Sequence, residues 1–333
     1  VTVRPRVALI QTGGTIDSVG ASRLDLAWYY ETGERLPDGG LVASIPESGD
    51  FATVEEQPFR RLSSSALTIR DWLELARTVE ALLAGDDYAG VVLTHGTNTL
   101  EETAYFLHLT LRSPKPVVLV GAIRPPSALS PDGPLNLLRA VQVAASPQAR
   151  GHGVLVVAND TIHSARDVTK TAPFRVQAFQ APDLGPLGYA DADGRVVFYH
   201  RHLRAGPDRP RFDLAGLGDL PRVDVVTSYV GADGALVYAA VAAGARGIVS
   251  AGTGGGRPTP AEDAALDRAA AAGVVVCQSS RAGSGRIPPS PSRRARGAVA
   301  ADNLQPWKAK VLLSLALTRT TDPDAVQDLF DRL

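Results

Sequence analysis

Short apolar runs alternate with longer segments in which apolar side chains recur every three or four positions. The first run, Val7-Ala8-Leu9-Ile10 with Gln11, predicts a strand over 7–11. The stretch 17–50 has no clear period and carries Tyr29, Tyr30, Gly33, Gly39 and Gly40. It reads as a long loop, of the kind that often covers an active site. The spacing of Ile69, Trp72, Leu73, Ala76, Val79 and Leu83 predicts a helix over 68–83. Thr68 is placed to cap it, Asp71 follows three residues on, and Gly85 follows its end. The pattern then predicts a strand at 90–94, a helix near 99–112, a strand at 116–121, a helix at 134–146 and a strand at 153–158. Strands separated by helices imply parallel pairing with right-handed crossovers.

Between 200 and 221 the texture changes. Arg201, Arg204, Arg209 and Arg211 mix with Pro207, Pro210 and Pro221, which reads as a linker. A shorter alternation follows: strand 223–228, helix 234–243, strand 246–251, helix 260–272 and strand 273–278. Two helices, near 306–318 and 323–332, close the chain. Thr259-Pro260 and Asp322-Pro323 each place a capping residue before a proline at the first helical position. The segment 287–296 reads as an exposed loop. The expected architecture is α/β. A larger N-terminal domain over 1–199 has a mostly parallel sheet flanked by helices. A linker over 200–221 joins it to a smaller α/β domain over 222–333.

Composition narrows the function. The net charge is −1 over 333 residues, which excludes the positive field that non-specific nucleic-acid binding needs. No apolar run approaches the ~20 residues that span a bilayer, so no membrane partner is expected. Cys277 is the single cysteine, which excludes an internal disulfide framework and a thiolate metal cage. Its setting in Val274-Val275-Val276 is that of a small core residue. The six histidines are scattered, and His95 has no companion at metal-ligand spacing, so no metal and no cofactor are expected. The first ten residues read as a strand and not as a leader, which favours the cytoplasm. A leader already removed would place the protein in the periplasm or outside the cell.

The candidate chemistry lies in two threonine turns, each directly after an apolar strand. They read Gln11-Thr12-Gly13-Gly14-Thr15-Ile16 and Thr94-His95-Gly96-Thr97-Asn98-Thr99. Neither has the ending of a P-loop or the glycine spacing of a dinucleotide site. Each instead raises a hydroxyl and backbone N–H groups at the carboxyl end of a strand, where open α/β sheets bind ligands. A threonine hydroxyl is a weak nucleophile and needs a neighbouring base. Lys170, in Asp167-Val168-Thr169-Lys170, can serve if a partly buried cleft lowers its pKa.

With these turns the chain resembles the bacterial L-asparaginase and glutaminase-asparaginase family along nearly its whole length. Further matching segments are Glu101-Glu-Thr-Ala-Tyr-Phe106, Gly121-Ala-Ile-Arg-Pro125, Asp132-Gly-Pro-Leu-Asn136, Asn159-Asp160, Gly185-Pro-Leu-Gly-Tyr189 and Ser250-Ala-Gly252. The resemblance implies hydrolysis of the side-chain amide of L-asparagine, and often of L-glutamine, to the acid and ammonia. Thr15 matches the threonine that forms an acyl-enzyme, and Thr97 with Lys170 matches the pair that activates water. A loop tyrosine assists Thr15; Tyr30 fits the Tyr-x-x-Gly pattern through Gly33, and the adjacent Tyr29 is the alternative. Ser64 matches the serine that binds the substrate α-carboxylate. Gly14, Ser65, Gly96, Asn98 and Ala122 complete the implied substrate site. The resemblance further implies a homotetramer built as a dimer of dimers, each site completed by a neighbour's smaller domain.

The departures from the family pattern concern charge. Asn98 stands where the family carries an aspartate that binds the substrate ammonium and pairs with the lysine. Ser65 stands where a glutamine is frequent, and Gly255 where an asparagine is common. The acidic residue expected near Ser290 is replaced by Pro289-Ser290-Pro291-Ser292-Arg293. The implied ammonium pocket is therefore short of negative charge.

Overall fold

Strands buried on both faces organise the first half of the chain. The structure, a computed structural model, describes residues 4–205 and 209–333. Residues 1–3 of the expected N-terminal domain and 206–208 of the expected linker, Pro207 among them, lie outside the described residues. The chain divides into two compact units, Val1–Asp208 and Arg209–Leu333.

The first unit is built on β1 (Arg6–Gln11), β2 (Thr53–Gln57), β3 (Gly90–Thr94), β4 (Val117–Val120), β5 (Val154–Ala158), β6 (Thr161–Ser164), β9 (Gly188–Ala190) and β10 (Val196–Phe198). A separate two-stranded ribbon pairs β7 (Thr169–Lys170) with β8 (Phe179–Gln180). The main sheet runs β10-β9-β6-β5-β4-β3-β1-β2. From β2 to β5 every pairing is parallel, as the alternation predicts. β3, β4 and β5 are buried at every position, which is why they read as unbroken apolar runs.

The edges of this sheet depart from the sequence expectation. β2 was not foreseen, because Glu55 and Glu56 give it the charged texture of an edge strand. β6, β9 and β10 add an antiparallel flank beyond β5. The chain reverses into that flank through Asn159 and Asp160, both at positive φ, in a two-residue hairpin turn.

The helices of this unit are α1 (Gly40–Ala43), α2 (Ile69–Ala84), α3 (Leu100–Thr110) and α4 (Gly133–Ala145). α4 lays Leu137, Ala140, Val141 and Ala144 into one core cluster with Val7, Leu9, Val92, Val118 and Leu155. α2 begins in a capping box in which the Thr68 and Asp71 side chains each accept from the other's backbone N–H. Trp72 of α2 stacks on Phe106 of α3 at 5.1 Å and donates its indole N–H to Thr103. The stretch 17–50 is less uniform than a single loop. A short 3-10 turn at Thr15–Asp17 leads into it, and it contains α1 and further 3-10 turns at Tyr29–Thr32 and Pro46–Asp50.

The second unit carries a parallel sheet ordered β11 (Val223–Thr227), β12 (Gly247–Gly252), β13 (Val275–Ser280) and β14 (Val299–Ala300). Its helices are α5 (Ala235–Ala242), α6 (Pro260–Ala271), α7 (Pro291–Arg294), α8 (Pro306–Ala316) and α9 (Pro323–Arg332). Val226, Val237, Ile248, Leu266 and Val276 share its core. Cys277 is buried in β13. The expected loop at 287–296 instead holds the short helix α7. Arg293 and Arg296 there pair with Asp263 of α6, and Ile287 is buried. No helix among the described residues is long and apolar enough to cross a membrane.

A buried histidine stands at the carboxyl end of β3. His95, directly after β3, is fully buried. Its backbone N–H donates to Val120, and Nδ1 donates to the carbonyl of Gly96 at 2.8 Å. Burial pushes the imidazole pKa down to about 4, so the ring is neutral in the folded protein at pH 7. The unfolded chain therefore takes up this proton first, and stability falls as pH falls from about 6.5 towards 4. The loss amounts to about 3 kcal/mol. His152, also pushed down to about 4, adds a slope of the same sign. Urea unfolding of the parent and of His95→Gln between pH 4 and 7 checks this: the parent should show the steeper loss, and equal slopes would contradict it.

Candidate active site

The register of β1 against β3 brings the two threonine turns to one level. Gln11 lies opposite Thr94, and both strands end there. Thr12 donates its backbone N–H and its hydroxyl to the carbonyl of Thr94. β1 is followed in the sheet by β2 on one side and β3 on the other. The turns therefore leave at the point where the strand order reverses, the usual ligand crevice of an open α/β sheet.

The turns meet glycine to glycine. Gly14 adopts φ 111° and ψ −172°, a conformation open to glycine alone. A Cβ on it would stand 2.5 Å from the Gly96 Cα, and a Cβ on Gly96 would stand 2.7 Å from Ser64 Oγ. Three segments are thus pressed together. The serine turn is tied in by Leu62 N–H donating to Thr12 and by the Thr99 hydroxyl donating to the carbonyl of Ser64.

These segments line a cleft of about 350 Å³ with Gly14, Thr15, Tyr29, Tyr30, Ser64, Ser65, Gly96, Thr97 and Asn98 in its wall. Thr15 Oγ1 lies 2.6 Å from the hydroxyl of Tyr29. Tyr30 also lines the cleft but is 59% exposed, and its ring meets Tyr29 edge to face. Of the two tyrosines, Tyr29 therefore reaches Thr15, although the glycine spacing points to Tyr30. Burial pushes the Tyr29 pKa up, against the pull of the Thr15 hydrogen bond, so the group is a phenol at neutral pH.

A second hydroxyl pair lies beside the first. Lys170 Nζ donates to Thr97 Oγ1 at 2.8 Å and to Asn98 Oδ1 at 3.3 Å. Burial lowers the Lys170 pKa, and the Glu101 carboxylate pulls it partly back up. Glu101 Oε1 also accepts the backbone N–H of Lys170 at 3.0 Å, which fixes the short strand β7 against α3. Glu101 enters the sequence reading only as a member of a motif. Glu101 and Glu102 both stand in the first turn of α3, where acidic residues are ordinary, so the sequence does not single out the buried one.

Of the expected site residues, Lys170 and Ala122 are absent from the lining: Lys170 reaches the cleft through Thr97, and Ala122 is buried. Its loop is held from behind. Asp132 accepts from the N–H groups of Ile123 and Arg124, and Asn136 donates to the carbonyl of Gly121. The Asp132–Asn136 motif thus serves the loop after β4.

Comparison with known proteins matches residues 6–204 to "Asparaginase, N-terminal" and residues 222–330 to "Glutaminase/Asparaginase C-terminal domain". The chain is 40% identical over 327 residues to "L-asparaginase 2" of Bacillus subtilis, covering 98% of this chain and 86% of that one. It is 38% identical over 328 residues to "Glutaminase-asparaginase" of Pseudomonas aeruginosa, covering 97% of this chain and 89% of that one. Among solved structures, the probable cytoplasmic L-asparaginase of Campylobacter jejuni superposes with a TM-score of 0.94 at 40% identity. That match covers 99% of this chain and all of the other.

The glycine contact makes its own prediction. Gly14→Ala must move the second turn or twist its own backbone, at a cost of about 1–3 kcal/mol. Gly49→Ala, with open space around its Cβ, should change stability by less than about 0.5 kcal/mol. Urea-unfolding midpoints of the two variants decide it, and equal midpoints would count against the close contact.

Proposed function

The chain belongs to the asparaginase family of amidohydrolases, and from that membership we propose that it hydrolyses L-asparagine to L-aspartate and ammonia through an acyl-enzyme on Thr15, with L-glutamine as a second substrate. The observation that carries this reading is the convergence on one cleft of two hydroxyl pairs, Thr15 with Tyr29 and Thr97 with Lys170.

In the first half-reaction Thr15 Oγ1 attacks the amide carbon. Its proton passes through the hydrogen bond with Tyr29 to the leaving nitrogen. The C–N bond breaks, ammonia departs and an ester remains on Thr15. In the second, water attacks the ester carbon while Thr97 and Lys170 take its proton. Burial lowers the Lys170 pKa, which suits that role. The ester C–O bond breaks, the proton drawn from water is given up to Thr15 Oγ1, which recovers its hydroxyl, and L-aspartate leaves. Backbone N–H groups around Thr97 stabilise the oxyanion of both steps. The Ser64 and Ser65 hydroxyls receive the α-carboxylate, with Gly14 and Gly96 allowing close approach of the main chain.

One observation favours a second reading within the same chemistry. Asn98 turns its Oδ1 to Lys170, an ammonium with no acceptor to offer, so its N–H2 group is the end left for a substrate. A donor there suits an α-substituent that accepts a hydrogen bond better than it suits an ammonium. The enzyme of this reading is an amidohydrolase retuned away from free L-asparagine.

The tetramer belongs to the same proposal. Large apolar side chains that stand open on each unit, such as Phe174 at 62%, Tyr199 at 70% and Val230 at 98%, support covered surfaces in an assembly. We also place the enzyme in the cytoplasm, the compartment named for the Campylobacter relative, with the periplasm, named for a Haemophilus influenzae relative of equal identity, or the outside of the cell as the alternative if a leader was removed.

Ammonia release from L-asparagine, L-glutamine and amides lacking the α-amino group tests the reading. Thr15→Val should lower kcat by at least ~1,000-fold. Tyr29→Phe should lower it by roughly 10–100-fold, with Tyr30→Phe within about threefold of the parent. Saturable amide binding with no ammonia from any substrate would reject the enzyme in favour of a binding protein. Asn98→Asp should raise kcat/KM for L-asparagine by about tenfold or more, and should not raise it for the amides without an α-amino group. No gain for L-asparagine would mean that Asn98 is no handicap.

A further inference from the structure

The loop that carries Tyr29 is closed at its neck by a buried anion. Asp17, two residues after Thr15, is wholly buried. Both its carboxylate oxygens accept from Arg35 Nη1, at 3.0 and 3.1 Å. Arg61 Nη1 lies 3.8 Å from the same carboxylate. Around this anion the two limbs of the loop are laced. Leu36 N–H donates to Asp17, Val19 N–H donates to Glu34, and Ser18 bridges Arg35. Arg61 also donates to the carbonyl of Leu36 and pairs with Asp38. It directly precedes Leu62 and the serine turn.

We infer that Asp17 is a positioning residue, which through Arg35 sets the Tyr29 loop over Thr15 and through Arg61 sets the serine turn against the same cleft. This rests on the reading of Thr15 and Tyr29 as the reacting pair. A buried carboxylate is costly, and losing one partner leaves its charge uncompensated. Burial opposes this charge and pushes the Asp17 carboxyl up, and Arg35 and Arg61 pull it back down. One anion that needs two arginines holds their two segments at one separation. The loop between its limbs is long and largely exposed and is tied beyond the neck by few bonds, Gly20 to Ser127, Leu129 to Arg23 and Tyr29 to Thr15, so loosening the neck loosens the loop. Arg35 also lines the cleft, and Asp17 keeps that guanidinium occupied.

The test uses Arg35→Met, Arg61→Met and Asp17→Asn in the full chain. The first two replace partly exposed side chains and keep the test valid should Asp17→Asn fail to fold. Two readouts are followed: trypsin cleavage after the exposed Arg23 within the loop, and kcat and KM for L-asparagine. Arg35→Met and Asp17→Asn should speed cleavage at Arg23 by about tenfold and lower kcat by about tenfold, with KM within about threefold of the parent. Arg61→Met should act mainly on KM, raising it by about threefold or more. Arg35→Lys keeps the charge without the fork and should recover part of the kcat loss. Unchanged cleavage in Arg35→Met, or faster cleavage with unchanged kcat, overturns the inference. A parent that releases no ammonia from L-asparagine, or a Thr15→Val variant that still does, refutes the proposed function instead, while cleavage at Arg23 still decides whether the neck holds.

Discussion

The contact between Gly14 and Gly96 is the constraint on which the rest of the site depends. Two backbones approach so closely that neither position has room for a side chain. The approach follows from the parallel register that sets Gln11 against Thr94. With the turns held at that spacing, Thr15 and Thr97 face one cleft and Ser64 packs against the second turn. The catalytic hydroxyls of the proposed mechanism are thus positioned by main-chain geometry. Side chains refine that geometry, and the strength of the sheet beneath maintains it.

Around this rigid seam the electrostatics are lopsided. Among the charged groups near the hydroxyls, Lys170, Glu101 and the Asp17 cluster are all engaged, while the exposed carboxylate of Glu34 lines the cleft beside Arg35. Lys170 is engaged by Thr97 and Asn98, and Glu101 holds its backbone. Arg35 lines the cleft with its charge bound to Asp17. The cleft therefore presents mostly hydroxyls and amide groups, with Glu34 as the acidic side chain of its wall. Such a lining suits an uncharged amide and leaves one carboxylate to meet the rest of the substrate.

The central strands were legible in the sequence because burial on both faces leaves no polar position to interrupt them. The edges were not. Glu55 and Glu56 hide β2, and the strands beyond β5 are too short to show a period. Thr15, Thr97, Lys170 and Ser64 were legible through the turns and the family resemblance, and the structure brings them to one place. Tyr29 and Tyr30 could not be separated by spacing. They are neighbours in a 3-10 turn, and only the fold of the loop decides which hydroxyl reaches Thr15. Asp17 was overlooked because a single aspartate opening a polar stretch looks like a solvated charge. Its partners, Arg35 and Arg61, are distant in sequence, and no local pattern announces them.

The threonine turns are joined by strand pairing and not by adjacency in the chain. Thr12 and the carbonyl that holds it are 82 residues apart. The intervening chain includes the exposed loop, the edge strand β2 and helix α2, and all of it must be closed before the two hydroxyls can meet. Long-range pairings of this kind form late and slowly, because loop closure precedes the contacts that compensate it. The two turns meet only once β1 has paired with β3, so in the proposed mechanism a chain that has not made that pairing does not act on amides.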